Sequence, residues 1–292
     1  VALFEKVAIV GLGLIGGSLA RALRRADQCA SISAYGRRAA ALQQAVEQGI
    51  IDHYCLDVRA AVRGADLVVL ATPLSTTEPL LRAMREVLQP GCIITDVGSA
   101  KGVVVAAARA ALSPEQLALF VPAHPIAGTE QSGVEASFAE LFEDHVVITT
   151  PLAETDRAAV QRITQLWQGT GARVVELSVE HHDEVLAATS HLPHVLVYTL
   201  IDCLARLQDQ AEIFAYAAGG FADFTRVASS SPEMWRDICL ANADPLLTVL
   251  DRFEDHLQDA RQAIAAADGA RLLEIFSRAR QCRDDFAQAR GR

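Results

Sequence analysis

Apolar positions in the first half of the chain fall in short, unbroken runs. Val7-Ala8-Ile9-Val10 ends in glycines, and residues 31–35 form a second run. Leu67-Val68-Val69-Leu70-Ala71 is stopped by Thr72-Pro73, and Cys92-Ile93-Ile94-Thr95-Asp96 by Gly98. Further runs cover residues 119–122, 146–149 and 173–177, while residues 14–26 and 38–48 have helical spacing. Strands that are apolar at every position, separated by helices, predict a parallel sheet covered on both faces.

After about Ser178 the pattern changes to long amphipathic stretches at residues 184–207, 209–218, 235–259 and 270–289, which predict helices. No low-complexity linker and no internal repeat separates the halves, so a helix is expected to run from one domain into the other. A length of 292 residues suits two domains. The expected division is an α/β domain with a mostly parallel sheet over residues 1–178 and an all-α domain over residues 179–292. The wide apolar helical faces of the second domain predict a homodimer.

Composition narrows the classes of function. With 51% apolar and 21% charged residues, the chain can bury a core and is not a disordered segment. A net charge of −10 argues against nucleic acid and anionic membranes as partners, so positive charge for an anionic substrate must be local. No apolar run reaches the ~18 residues of a membrane span. The N-terminus lacks a basic segment ahead of an apolar one, so no signal peptide is expected, and the absence of an initial Met suggests a trimmed chain. The six cysteines form no C-x-x-C pair, which removes the support for a metal site and fits reduced thiols in a cytoplasm.

The strongest local motif is Gly11-Leu12-Gly13-Leu14-Ile15-Gly16, placed directly after a strand and opening a helix. Gly11 permits the tight turn, Gly13 lets the backbone approach a pyrophosphate, and Gly16 lets helix and strand pack closely. The free N–H groups of the helix N-terminus suit phosphate. These features predict a Rossmann domain that binds a nicotinamide dinucleotide. NAD-specific sites carry an acidic residue ~20 residues on, at the end of the second strand, to hold the ribose hydroxyl. Here that place reads Tyr35-Gly36-Arg37-Arg38. An arginine can pair with a 2′-phosphate that a carboxylate would repel, so NADP is expected to be preferred, with NAD as the alternative. Arg37 and Arg38 also read as solvated residues at a helix start. The expected cofactor contacts are Gly11 to Gly16 together with Gly36, Arg37, Arg38, Thr72, Pro73 and Gly98.

Further segments carry polar chemistry around the expected ligand cleft. In Asp96-Val97-Gly98-Ser99-Ala100-Lys101, Ser99 either caps a helix or points its hydroxyl into the cleft. In His124-Pro125-Ile126-Ala127-Gly128-Thr129-Glu130, a histidine beside a shaped loop is a candidate general base. Ser190-His191-Leu192-Pro193-His194 lies in the first helix of the second domain, where the proline predicts a kink. Arg226, in Asp223-Phe224-Thr225-Arg226, is either an ordinary surface arginine or a carboxylate clamp.

Together these segments resemble the prephenate and arogenate dehydrogenases of tyrosine biosynthesis. The resemblance rests on the motifs at Gly11 to Ser18, Asp96 to Lys101, His124 to Glu130, Ser190 to His194 and Asp223 to Ala228, and on the run around Trp235, all in the family's order. It implies an enzyme that oxidatively decarboxylates L-arogenate or prephenate between a Rossmann domain and a helical dimerisation domain. It also implies His124 as the group taking the ring hydroxyl's proton and Ser99 as orienting His124 or the nicotinamide. Arg226 would bind a substrate carboxylate, His191, His194 and Thr129 would line the substrate side, and Glu130 would gate the loop or contact the side chain. Gly36 departs from the aspartate common in the family, which puts strict NAD use in doubt. The end at Arg292 leads us to expect no appended regulatory domain, with any tyrosine inhibition acting at the active site. Two other readings stand beside this one. A β-hydroxyacid dehydrogenase would place a catalytic lysine on the interdomain helix, yet residues 180–207 contain none. A dinucleotide-binding redox sensor would bind cofactor without turning over substrate.

Overall fold

The computed structural model describes residues 2–208 and 210–290. Its first half runs β1 (Phe4–Val10), α1 (Leu14–Arg25), β2 (Cys29–Tyr35), α2 (Ala39–Glu47), β3 (His53–Cys55), α3 (Val58–Val62), β4 (Leu67–Leu70) and α4 (Thr77–Met84). It continues through β5 (Ile93–Asp96), α5 (Lys101–Ala111), α6 (Pro114–Ala118), β6 (Phe120–Val121), β7 (Ala123–Pro125), β8 (Val146–Thr149), α7 (Arg157–Gly169) and β9 (Arg173–Glu176). Six strands form a parallel sheet in the order β3-β2-β1-β4-β5-β6, the order of a Rossmann domain.

Both faces of this sheet are buried, which explains the unbroken apolar runs. Val7, Ile9, Leu67, Val69 and Ile93 point into a core shared with α1 and α7, where Leu19, Leu23 and Trp167 lie. Ala8, Val10, Val68, Leu70 and Ile94 point the other way, onto Leu81, Val104 and Ala108 of α4 and α5. The side-chain period is still two, but neither face meets water, so alternation leaves no trace in the sequence.

The mostly parallel sheet is found, with two additions. The short edge strand β3 adds parallel to β2, and β7, β8 and β9 form a second sheet in which β7 runs antiparallel to β8. His124 therefore sits within a strand, opposite Ile148, and not on a loop after a strand end.

From Val179 onward the described residues form no strands. The elements are α8 (Val179–Leu186), α9 (Leu192–Ala205), α10 (Gln210–Ala215), α11 (Gly219–Thr225), α12 (Pro232–Ala241), α13 (Ala243–Ala265) and α14 (Gly269–Arg290). The helix expected over residues 184–207 is interrupted by a π turn, Ala187–His191, between α8 and α9. Pro193 causes the break, because it cannot donate to the carbonyl four residues back and its ring crowds that carbonyl. The helix expected over residues 235–259 is divided at Asn242, whose backbone leaves the helical region at φ −120° and ψ 38°. Residue 209 of the stretch 209–218 lies outside the described residues. By compactness the chain divides into Val1–Ala243 and Asp244–Arg292. In the second unit Arg271 of α14 pairs with Asp259 of α13 at 2.7 Å. No helix among the described residues is long and apolar enough to cross a membrane.

Candidate active site

The glycine loop lies where β1 hands over to α1, at the centre of the sheet. Gly11 has φ +103°, and a Cβ there would stand 2.4 Å from the Ala71 carbonyl oxygen, so both conformation and space demand glycine. A Cβ on Gly16 would stand 2.2 Å from the Gly11 carbonyl oxygen. Gly13 differs, since a Cβ there would meet nothing within 4 Å. It is the N-cap of α1 and offers no side-chain cap, so no capping side chain takes the first amides of the helix. An uncapped helix N-terminus behind an open glycine fits a dinucleotide's phosphates. Leu12, Leu14 and Ile15 are half-buried between this loop and the core.

The other expected cofactor residues surround the loop. The Gly11 amide donates to the Tyr35 carbonyl at 2.9 Å, which sets Gly36 beside the loop. Arg37 and Arg38 are exposed, and neither guanidinium is paired among the described residues. Thr72 reaches the glycine loop and bonds Thr76 at 2.9 Å, while Pro73 precedes a short 3-10 turn, Leu74–Thr76. The Gly98 amide donates to Asp96 at 2.7 Å at the end of β5.

Next to this cleft lies a buried polar chain. His124 Nδ1 is 2.9 Å from His182 Nε2, and His182 Nδ1 is 2.7 Å from Asp183 Oδ1. A carboxylate only accepts, so Asp183 fixes the proton of His182 on Nδ1. His182 Nε2 then accepts, His124 carries its proton on Nδ1, and the lone pair of His124 lies on Nε2. Burial drives the His124 pKa well below the ordinary histidine value, helped by His182, Lys101 and His191. The ring is therefore neutral at neutral pH and available as a base. Burial also lowers His182, against the pull of Asp183. For Asp183 burial acts upward, but hydrogen bonds from His182 and two backbone amides outweigh it and hold the acid low.

Those two amides belong to Lys101 and Gly102, which donate to Asp183 at 2.8 Å each. Asp183 is thus the side chain that meets the N-terminus of α5. Ser99 is not the cap: the N-cap is Ala100, and the Ser99 hydroxyl makes no hydrogen bond among the described residues. Nor does Ser99 hold His124 Nδ1, which is taken by His182. Ser99 is half-buried, and its backbone lies beside His191.

Lys101 is wholly buried and ion-paired with Asp96, and it also donates to the Ala123 carbonyl at 2.7 Å. Asp96 in turn accepts from the Ala123 amide at 3.2 Å. The pair therefore grips both ends of the residue before His124 and fixes β7 against the end of β5.

The helical residues complete the site. His191 is buried in the π turn, and Asn242 Nδ2 lies 3.0 Å from its Nδ1. Its Nε2 has no partner among the described residues. Burial lowers the His191 pKa to about 4. His194 stacks on Trp235 with ring centroids 3.5 Å apart and bonds the Ser190 carbonyl at 2.8 Å. Arg226, 62% exposed, forms an ion pair with Glu130, and Thr129 beside it is exposed. The structure thus joins Arg226 to Glu130, and His124 through His182 to the helical segment. His182, Asp183, Lys101, Asp96 and Asn242 were not singled out from sequence. Lys101 and Asp96 lie inside the Asp96 to Lys101 motif, but their burial is not written in the sequence. For His182 and Asp183 the one hint was their adjacency at a helix start.

Comparison with known proteins finds relatives over both halves of the chain. Residues 19–176 match the family model "Prephenate dehydrogenase, nucleotide-binding domain", and residues 178–278 match "Prephenate dehydrogenase, dimerization domain". A cyclohexadienyl dehydrogenase of Zymomonas mobilis is 43% identical over 96% of this chain and 95% of its own length. The prephenate dehydrogenase of Aquifex aeolicus, solved with hydroxyphenyl propionate and NAD+, superposes with a TM-score of 0.90 at 34% identity, covering 97% of this chain and 98% of that one. The arogenate dehydrogenase of Synechocystis superposes with a TM-score of 0.81 at 28% identity, covering 97% of this chain and 100% of that one. With both of its family models matched across consecutive segments, the chain belongs to the prephenate dehydrogenase family and is a nicotinamide-dependent dehydrogenase.

Proposed function

We propose that this enzyme oxidatively decarboxylates both L-arogenate and prephenate, with His124 as the base. The observation that carries the reading is the buried, neutral His124 whose Nδ1 is held by His182, leaving Nε2 for the substrate hydroxyl. Loss of hydride from the carbinol carbon and of carbon dioxide from the carbon para to it leaves an aromatic ring. The nicotinamide ring, when bound, supplies the hydride acceptor. The protein's tasks are to place the substrate ring, exclude water and manage the hydroxyl proton. Ser99 is free to hydrogen-bond the same hydroxyl or the nicotinamide amide. The unpartnered Nε2 of His191 and the stacked His194 line the substrate side with Thr129. Arg226 releases Glu130 and takes a substrate carboxylate in its place, which makes their ion pair a gate.

The choice of both substrates is supported by the relative named cyclohexadienyl dehydrogenase and by Glu130, an acid near the cleft that can attract the ammonium of L-arogenate. NADP preference is supported by Gly36 in place of an acid and by the two unpaired arginines after it. A homodimer is supported by the description of the second matched model and by exposed Leu257, Ile264, Leu273 and Phe276 on α13 and α14. A reducing, cytoplasmic setting is supported by six free cysteines.

The test of the site is His124→Asn. Turnover should fall by roughly 10²–10⁴-fold, the span typical of a general base, with dinucleotide affinity unchanged. Turnover within a few-fold of the parent would remove His124 from this role.

A further inference from the structure

We propose that His182 is a second proton carrier in the reaction, receiving the Nδ1 proton of His124 as the substrate's proton arrives on His124 Nε2. This rests on His124 being the base. The geometry provides a continuous path, 2.9 Å from His124 to His182 and 2.7 Å from His182 to Asp183.

The surroundings explain why the charge should move. Around the His124 ring are His182 from α8, Lys101 from α5 and His191 from the π turn, and each makes a cation there less favourable. Its ring is buried, so water cannot screen the charge. Around His182 are Asp183 on its own helix, Asp96 from β5 and Lys101. Burial and Lys101 oppose a cation at His182, but the two carboxylates favour one, and Asp183 accepts directly from its Nδ1. Asp183 is itself held in place by the Lys101 and Gly102 amides. A proton taken by His124 thus has a better resting place one ring away.

The step balances. The substrate O–H bond breaks and an Nε2–H bond forms on His124. The Nδ1–H bond of His124 breaks and an Nε2–H bond forms on His182, which keeps its Nδ1–H toward Asp183. The O–H electron pair becomes the second bond of the new carbonyl as the C–H pair leaves with the hydride. Loss of carbon dioxide then returns electrons to that oxygen, and the relay runs backward to protonate it.

The test pairs His182→Gln with His124→Asn. Glutamine can still accept from His124 Nδ1–H but cannot carry a proton. For His182→Gln we expect KM within a few-fold of the parent, kcat lowered at least about tenfold, in the lower range of general-base effects, and the acid limb of kcat/KM moved to lower pH. The limb moves because the readily protonated member of the pair is gone. A kcat within about threefold of the parent, or a lowered kcat with an unmoved acid limb, overturns the relay. If turnover survives in His124→Asn, the base assignment fails; if it is lost there but kept in His182→Gln, the relay alone fails. Imidazole ¹⁵N spectra of the unliganded parent give a readout free of turnover and of variant folding. Both His124 and His182 should be Nδ1–H tautomers, and an Nε2–H tautomer at His124 overturns the proposal.

Discussion

The Lys101 ammonium lies between the Asp96 carboxylate and the Ala123 carbonyl, with no access to water. Burial lowers the Lys101 pKa, and Asp96 and Asp183 oppose that shift. Removing one member of a buried pair leaves the other charge without a partner, which costs about 3–5 kcal/mol. Lys101→Met should therefore lower unfolding stability by about that much in urea titration, and Lys101→Met combined with Asp96→Asn should recover part of it. A single variant as stable as the parent would show that the pair does not hold β7. At this scale the sequence was partly legible. His124 stood out as a candidate base because Pro125 and Gly128 shape the segment after it. Its partner was hidden, since His182 lies 58 positions away and only the packing of α8 against α5 brings the rings together. Ser99 read equally well as a cap or as a cleft residue, and the cap came from Asp183, 82 positions from Lys101.

The β1–α1 junction separates two uses of glycine. Gly11 and Gly16 are required by the fold, because a Cβ on either would collide with backbone. Gly13 is not, because the space above it is open. Gly13→Ala should therefore unfold with the parent's midpoint while binding dinucleotide at least about tenfold more weakly, the loss of roughly 1.4 kcal/mol. Gly11→Ala should lose stability and binding together. Dinucleotide titration and thermal melting distinguish these outcomes, and undiminished binding by Gly13→Ala would place the phosphates elsewhere. Most strands of the α/β half were readable from apolar runs and turn residues. The short β3 and β7 were not, because three residues carry too little pattern to separate a strand from a loop. The helix break at Asn242 was also unreadable: its side chain bonds the Asp183 carbonyl at 2.8 Å and faces His191, a tertiary demand that overrides local helical spacing.

At the scale of the whole molecule, the α/β and all-α parts were legible from the change in pattern near Ser178. The interruptions within the helical part depend on contacts that spacing does not encode. In the second compact unit α13 and α14 leave Leu257 58%, Ile264 66%, Leu273 68% and Phe276 61% exposed, a cost that a second copy would relieve. Sedimentation equilibrium should give twice the chain mass of 31.3 kDa, and a monomer at micromolar concentration would contradict the dimer. The central claim is the reaction itself, and its most direct measurement is the appearance of reduced nicotinamide with prephenate and with L-arogenate, each paired with NAD and with NADP. Turnover with both substrates, faster with NADP, is the predicted result. No turnover in any of the four combinations, with dinucleotide still bound, would contradict it and leave a protein that senses the cofactor without using it.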